Sequence, residues 1–103
     1  MTEFRLVILT PDREWFAGGA EAATAPGESG EFGVLVRHIP MIAGLKAGAV
    51  TVRVPGKPPL HFAIDGGVLG VHRHGVRILA GRVSSCAGPE QARAAAAAFA
   101  REA

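Results

Sequence analysis

A single cysteine, Cys86, is all the thiol chemistry this sequence carries. No internal disulfide can form, which fits a reducing compartment. No apolar stretch approaches the ~20 residues that span a bilayer. The first ten residues hold Glu3 and only a short apolar run, Leu6 to Leu9, which does not read as a secretion signal. The chain is therefore expected to be cytoplasmic and to meet a membrane only through a partner. A strong excess of either charge is missing too, with 11 Lys and Arg against 9 Asp and Glu and a net +2. No basic run interleaves with aromatic residues, so nucleic acid is not an expected partner.

What is present describes a small β protein. The 103 residues suffice for one modest core, and a hydrophobic share of 49% argues against disorder. Gly 14 and Pro 7 suit short strands joined by turns. Phe4 to Leu9 is a β-rich run that stops at Thr10-Pro11-Asp12. Trp15 to Gly19 and Glu21 to Ala25 lead to the turn cluster Pro26-Gly27-Glu28-Ser29-Gly30. Phe32 to Leu35 and Met41 to Leu45 flank a polar His38-x-Pro40 turn. Ala49 to Val54 alternates, with Val50, Val52 and Val54 on one face and Thr51 and Arg53 on the other. Pro55 to Pro59 makes a stiff hairpin connection, and the returning strand points Leu60, Phe62 and Ile64 inward with His61 outward. Asp65-Gly66-Gly67 is read as a break, after which Val68 to Val71 and Val76 to Leu79 flank the His72 to Gly75 turn. The pattern predicts an antiparallel sandwich or barrel over residues 1–86.

Residues 87–103 change character. Pro89 suits the first helical position, and Glu90 to Glu102 is strongly helix-forming. Glu90 in the first turn and Arg101 in the last agree with the helix dipole. The expected rod is about 21 Å long and too short to be stable alone. Ala92, Ala95, Ala96 and Phe99 form a thin apolar stripe that needs the β region or a partner to lie against.

Each candidate for chemistry has a plainer reading. Gly27 to Gly30 with Gly33 lacks the Lys-Ser/Thr of a phosphate loop and precedes no helix, so turn glycines are expected. Gly66-Gly67-Val68-Leu69-Gly70 has the wrong spacing for a dinucleotide fingerprint; close backbone packing at a strand entry is the expected role. His72 and His74 could share a metal but sit in a turn with no fixed Cys or acid beside them, and solvated histidines are the plainer reading. Cys86 has no His or acid next to it. Arg37, His38 and Glu31 on a turn stiffened by Pro40 make a charged docking edge, without a nucleophile for acid–base work. The residues by themselves describe a binding module, with no catalytic residue, metal or cofactor expected.

Gly30-Glu31-Phe32-Gly33-Val34-Leu35, His38-x-Pro40-Met41 and Leu45-Lys46-x-Gly48 resemble a signature of the epsilon subunit of bacterial F-type ATP synthases. Asp65-Gly66-Gly67-Val68-Leu69-x-Val71 and Gly75-Val76-x-Ile78-Leu79-Ala80 are similar to two later strands of that family, so the likeness covers residues 4 to about 83. The resemblance implies a ten-stranded antiparallel β-sandwich, followed in the family by an α-helical hairpin. It implies a non-catalytic role in the central stalk, at the inner face of the membrane, coupling ion translocation to ATP synthesis. The sandwich would dock on the gamma subunit and on the polar loops of the rotor-ring c subunits. By motif position, Glu31, Arg37, His38 and Pro40 would contact the ring.

Three departures accompany it. Val36 replaces the family's usual proline. The chain shows one C-terminal helix where the family has two, so coupling without the helix-insertion type of inhibition is expected. Some relatives bind ATP through Asp-x-x-Arg-Ala; here Glu90 and Arg93 occupy the acid and arginine positions of Glu90-Gln91-Ala92-Arg93-Ala94, and no nucleotide site is expected. The rival readings are a free-standing β-sandwich adaptor using the Glu31/Arg37/His38 edge, and a small metal enzyme using His72 and His74.

Overall fold

The computed structural model describes residues 3–35 and 40–102, with no account of the Leu35 and Glu102 side chains. In chain order the elements are β1 (Phe4–Thr10), β2 (Arg13–Ala20), β3 (Ala22–Gly27), β4 (Gly30–Leu35), β5 (Met41–Arg53), β6 (Leu60–His72), β7 (Gly75–Leu79), β8 (Val83–Cys86) and α1 (Pro89–Glu102). The strands pair in the order β2-β1-β7-β6-β5-β3-β4, with β8 on the other half of β6. The sheet doubles over one core to make a β-sandwich. Leu6, Ile8, Val50, Val52, Ile64, Leu69 and Ile78 are fully buried there.

Eight strands stand among the described residues, against the expected ten. The difference lies in β5 and β6, each an unbroken strand of 13 residues. They pair with one another from Met41↔Val71 to Val52↔Leu60. Along β6 the half near Phe62 pairs with β8, and the half near Leu69 pairs with β7. The core-facing residues are even-numbered in one half (Val50, Val52, Phe62, Ile64) and odd-numbered in the other (Leu45, Leu69, Val71). A change of parity sends alternate side chains to the opposite face, which is how one hairpin lines both layers of the sandwich.

The change falls at Asp65-Gly66-Gly67, the tripeptide read from sequence as a break. It is a bend in a continuous strand. Gly66 and Gly67 have φ of 123° and 141°, a region L side chains rarely enter. A Cβ on Gly67 would overlap the Leu79 carbonyl oxygen, so β7 closes on bare backbone there. The expected close packing is present. Asp65 anchors the neighbouring loop by accepting hydrogen bonds from the Gly81 and Arg82 backbone N–H groups at 3.1 and 2.9 Å.

Two more expectations need correction. The sandwich is not wholly antiparallel, because β1 runs parallel to β7 from Leu6↔Val76 to Leu9↔Leu79. Parallel neighbours need long connections, and the chain from β2 to β6 supplies one. Leu60 does not point fully inward; it is 39% exposed at the end of the hairpin beside Pro58-Pro59. His61 takes the outward position, 3.2 Å from Thr51 across the strand pair.

The helix covers the outer face of β5, β6 and β8. Ala92 and Ala96 are buried against Ala63, with Ala49, Cys86, Ala95 and Phe99 around them. The stripe Ala92, Ala95, Ala96 and Phe99 has the i, i+3, i+4, i+7 spacing of one helical face, and its small residues let the rod lie close to the sheet. Arg82 caps the far end, its guanidinium 4.5 Å from the Phe99 ring centroid.

Candidate docking surface

The other layer keeps an outer face with no cover among the described residues. Strand register places Ala17, Val7, Arg77, Gly70 and Ile42 side by side on β2, β1, β7, β6 and β5. The next row holds Leu9, Leu79, Val68 and Gly44. Their neighbours along each strand, such as Leu6, Ile8, Ile78, Leu69 and Val71, face the core, so these rows face out. Ile42 is 82% exposed, Leu79 48% and Val68 45%. Together with Gly70, His72 and Arg77 they line a shallow depression of about 330 Å³. Apolar side chains grouped in this way make the face a candidate interaction surface, whereas a scatter of single ones would not.

The face was not foreseen as such, although a signal exists. Met41-Ile42, Val68-Leu69 and Ile78-Leu79 are adjacent apolar pairs, each of which must place one member on the outside of a strand.

The residues singled out from sequence are distributed unevenly. Glu31 is exposed on β4, an edge strand, opposite Pro26. Pro40 is exposed just before β5. Arg37 and His38 lie outside the described residues. At the β3–β4 hairpin tip, Glu28 and Glu31 stand around a recess of about 400 Å³ that also takes in Phe32, Met41 and Gly44. The Glu28 N–H donates to the Gly44 carbonyl at 3.2 Å, holding the tip down on β5.

Arg93 does not stand with Glu90. It joins Glu31 and Lys46 around a cavity of about 350 Å³ between α1 and the sandwich, walled by Pro26, Ala49, Ala96 and Ala97. One acid and two cations thus meet there from three separate elements. Glu90 lies exposed in the first helical turn, outside that lining.

His72 and His74 are both exposed, with ring centroids 6.4 Å apart. The His74 backbone N–H donates to His72 Nδ1 at 3.3 Å. Among the described residues no three His, Cys, Asp or Glu side chains gather closely enough to hold a metal ion. Asp12, at the β1–β2 turn, is held below its ordinary value by the Thr10 hydroxyl, which donates to its carboxylate at 2.6 Å, and by its backbone N–H. The Trp15 indole donates in turn to Thr10 at 3.0 Å. This network is remote in sequence from the charged edge and secures a hairpin.

The sequence profile described as "ATP synthase, Delta/Epsilon chain, beta-sandwich domain" matches residues 3–85. The chain belongs to this family. Among relatives of this family member, the ATP synthase epsilon chain of Herminiimonas arsenicoxydans is 38% identical over 92 residues, covering 88% of this chain and 66% of that one. The chain therefore spans just under two thirds of that relative, and for other epsilon chains the share runs from 51% to 92%. A chain in the cryo-EM structure of the Euglena gracilis mitochondrial ATP synthase (OSCP/F1/c-ring, rotational state 1) superposes with a TM-score of 0.77 at 23% identity, over 82% of this chain and 54% of that chain. One in the Tetrahymena thermophila mitochondrial ATP synthase central stalk/c-ring structure has a TM-score of 0.67 at 16% identity, over 96% and 89%. At such identities the likeness is one of fold.

Proposed function

We propose that this family member is a non-catalytic central-stalk subunit of an F-type ATP synthase, seated through its uncovered apolar face on the gamma subunit. The carrying observation is that face, a sheet surface with Ile42, Val68 and Leu79 exposed to water. Its relatives are named as ATP synthase epsilon chains, and the structures sharing its fold come from ATP synthase assemblies. A sheet face held rigid by a β ladder loses little conformational entropy on docking, which suits a part that must transmit torque without yielding.

The β3–β4 hairpin end, with Glu31, would meet the polar loops of the rotor ring, and Arg37, His38 and Pro40 would extend that contact. An acid and several donors on a stiff edge can engage polar loop groups through charge-assisted hydrogen bonds. Coupling of ion translocation to ATP synthesis would then run through the sandwich, with the subunit peripheral to the membrane. No described helix is long and apolar enough to cross one. The cavity between helix and sandwich is lined by the acid Glu31 as well as by Lys46 and Arg93, which does not suit an anion site.

Reconstitution tests this. Glu31→Lys combined with Arg37→Glu should lower ATP-driven proton pumping by the assembled complex while leaving the melting temperature of the isolated chain unchanged. Undiminished pumping would remove the ring contact from the reading.

A further inference from the structure

We infer that the surface which covers the apolar face brings a carboxylate to Arg77. This rests on the reading of that face as the gamma-docking surface and specifies the chemistry its partner must carry.

Arg77 stands in the middle of the face. On its row are Val7 and Ala17 to one side, Gly70 and Ile42 to the other, all without charge. The row below holds Leu9, Leu79, Val68 and Gly44, again uncharged. Among the described residues, the acids near this face stand at its margins: Glu14 opposite Leu9, Glu3 beside Gly19, and Glu28 over Gly44. Toward the β6–β7 hairpin the groups are His72, Arg73 and His74, with Arg5 behind Gly75. Among the described residues nothing accepts a hydrogen bond from the Arg77 guanidinium.

In the free protein that guanidinium is in water and needs no partner. Covering the face removes the water. A guanidinium cannot escape by losing its proton, and an unpaired buried charge carries a penalty of several kcal/mol. The sideways routes to solvent cross two strands, about 10 Å. Along the strand, one way runs into like charge at the hairpin and the other way into Leu79 beside Val68. Gly70 next to it leaves open space, with no atom within 4 Å of where a side chain would begin. A partner group can therefore approach the fork from the β6 side. The geometry suits an Asp or Glu flanked by apolar side chains, accepting two parallel N–H bonds from the arginine.

The test is calorimetric binding of the full chain to the gamma subunit from the same source, at low and high salt. Arg77→Met keeps the length and removes the charge. If a carboxylate faces it, affinity should fall by about thirtyfold or more, because truncating one member of a desolvated pair strands the other. The salt dependence should flatten in the same variant. If the partner is apolar there, Arg77→Met should bind more tightly than the native chain, having no charge to desolvate. Weakening below about thirtyfold, or any tightening, overturns the inference. Ile42→Asp separates this from the underlying reading. If Ile42→Asp abolishes binding while Arg77→Met does not weaken it, the face is the interface and the pairing is wrong. If Ile42→Asp changes nothing, the face is not the interface and both fall. Arg77 and Ile42 are exposed on formed strands, so unchanged melting curves are expected for both variants.

Discussion

Alanine at Gly67 should remove a large part of this protein's stability, and the reason is backbone geometry. The native φ of 141° lies where only glycine is at ease, and forcing another residue there costs about 1–3 kcal/mol. The new methyl would also overlap the Leu79 carbonyl oxygen. Relief requires β6 and β7 to separate near Val68↔Leu79, and each ladder bond disturbed contributes about 0.5–1.5 kcal/mol. A total near 3 kcal/mol is a sizeable share of the ~5–15 kcal/mol that holds a domain together. In a domain of this size it corresponds to a drop in Tm of about 12–24 °C. Thermal unfolding followed by far-UV circular dichroism and by the single tryptophan, Trp15, would measure it. Gly70→Ala is the control on the same strand, since a Cβ there meets nothing within 4 Å. It should melt within a few degrees of the native chain. If Gly67→Ala did the same, the close approach of β7 to the bend would be refuted, and with it the account of why the hairpin can serve both layers.

Two further outcomes are expected. Deleting residues 89–103 should leave a sandwich with its β-type spectrum and a cooperative, lowered melt, because the helix packs on a small cluster separate from the main core. Cys86 should then react faster with thiol reagents, and loss of cooperativity would show that the helix is integral to the fold. Asp12 should give the β1–β2 hairpin an acid transition. Its folded pKa is lowered, so its contribution is complete above the ordinary value of 3.8 and is lost as pH falls through the lowered one. Trp15 fluorescence should report that change at low pH, and Asp12→Asn should abolish it; persistence in the variant would assign the transition elsewhere.

Much of this protein is legible from neighbouring residues alone. Alternation at Val50, Val52 and Val54 marks a strand, Pro55 to Pro59 a turn, and Gly88-Pro89 the start of a helix with Ala92, Ala96 and Phe99 on its inner face. These depend on periodicity and backbone preference, which act over a few residues. The family signature around Glu31 and Gly66-Gly67 is likewise a linear pattern. Distances along the chain do not reveal which strand lies beside which. Only folding pairs β1 with β7 in parallel, because that contact joins residues some seventy positions apart. Only the doubled sheet shows that Gly66-Gly67 is a bend where the core-facing parity changes. The same holds for Glu31, Lys46 and Arg93, far apart in sequence and gathered round one cavity. It holds for Arg77 too. In sequence it is one polar residue alternating with Val76 and Ile78, and nothing there distinguishes it from a solvated strand position. Four other strands must come together before it stands in the middle of an apolar face, and that assembly is a property of long-range pairing, which local propensity does not encode.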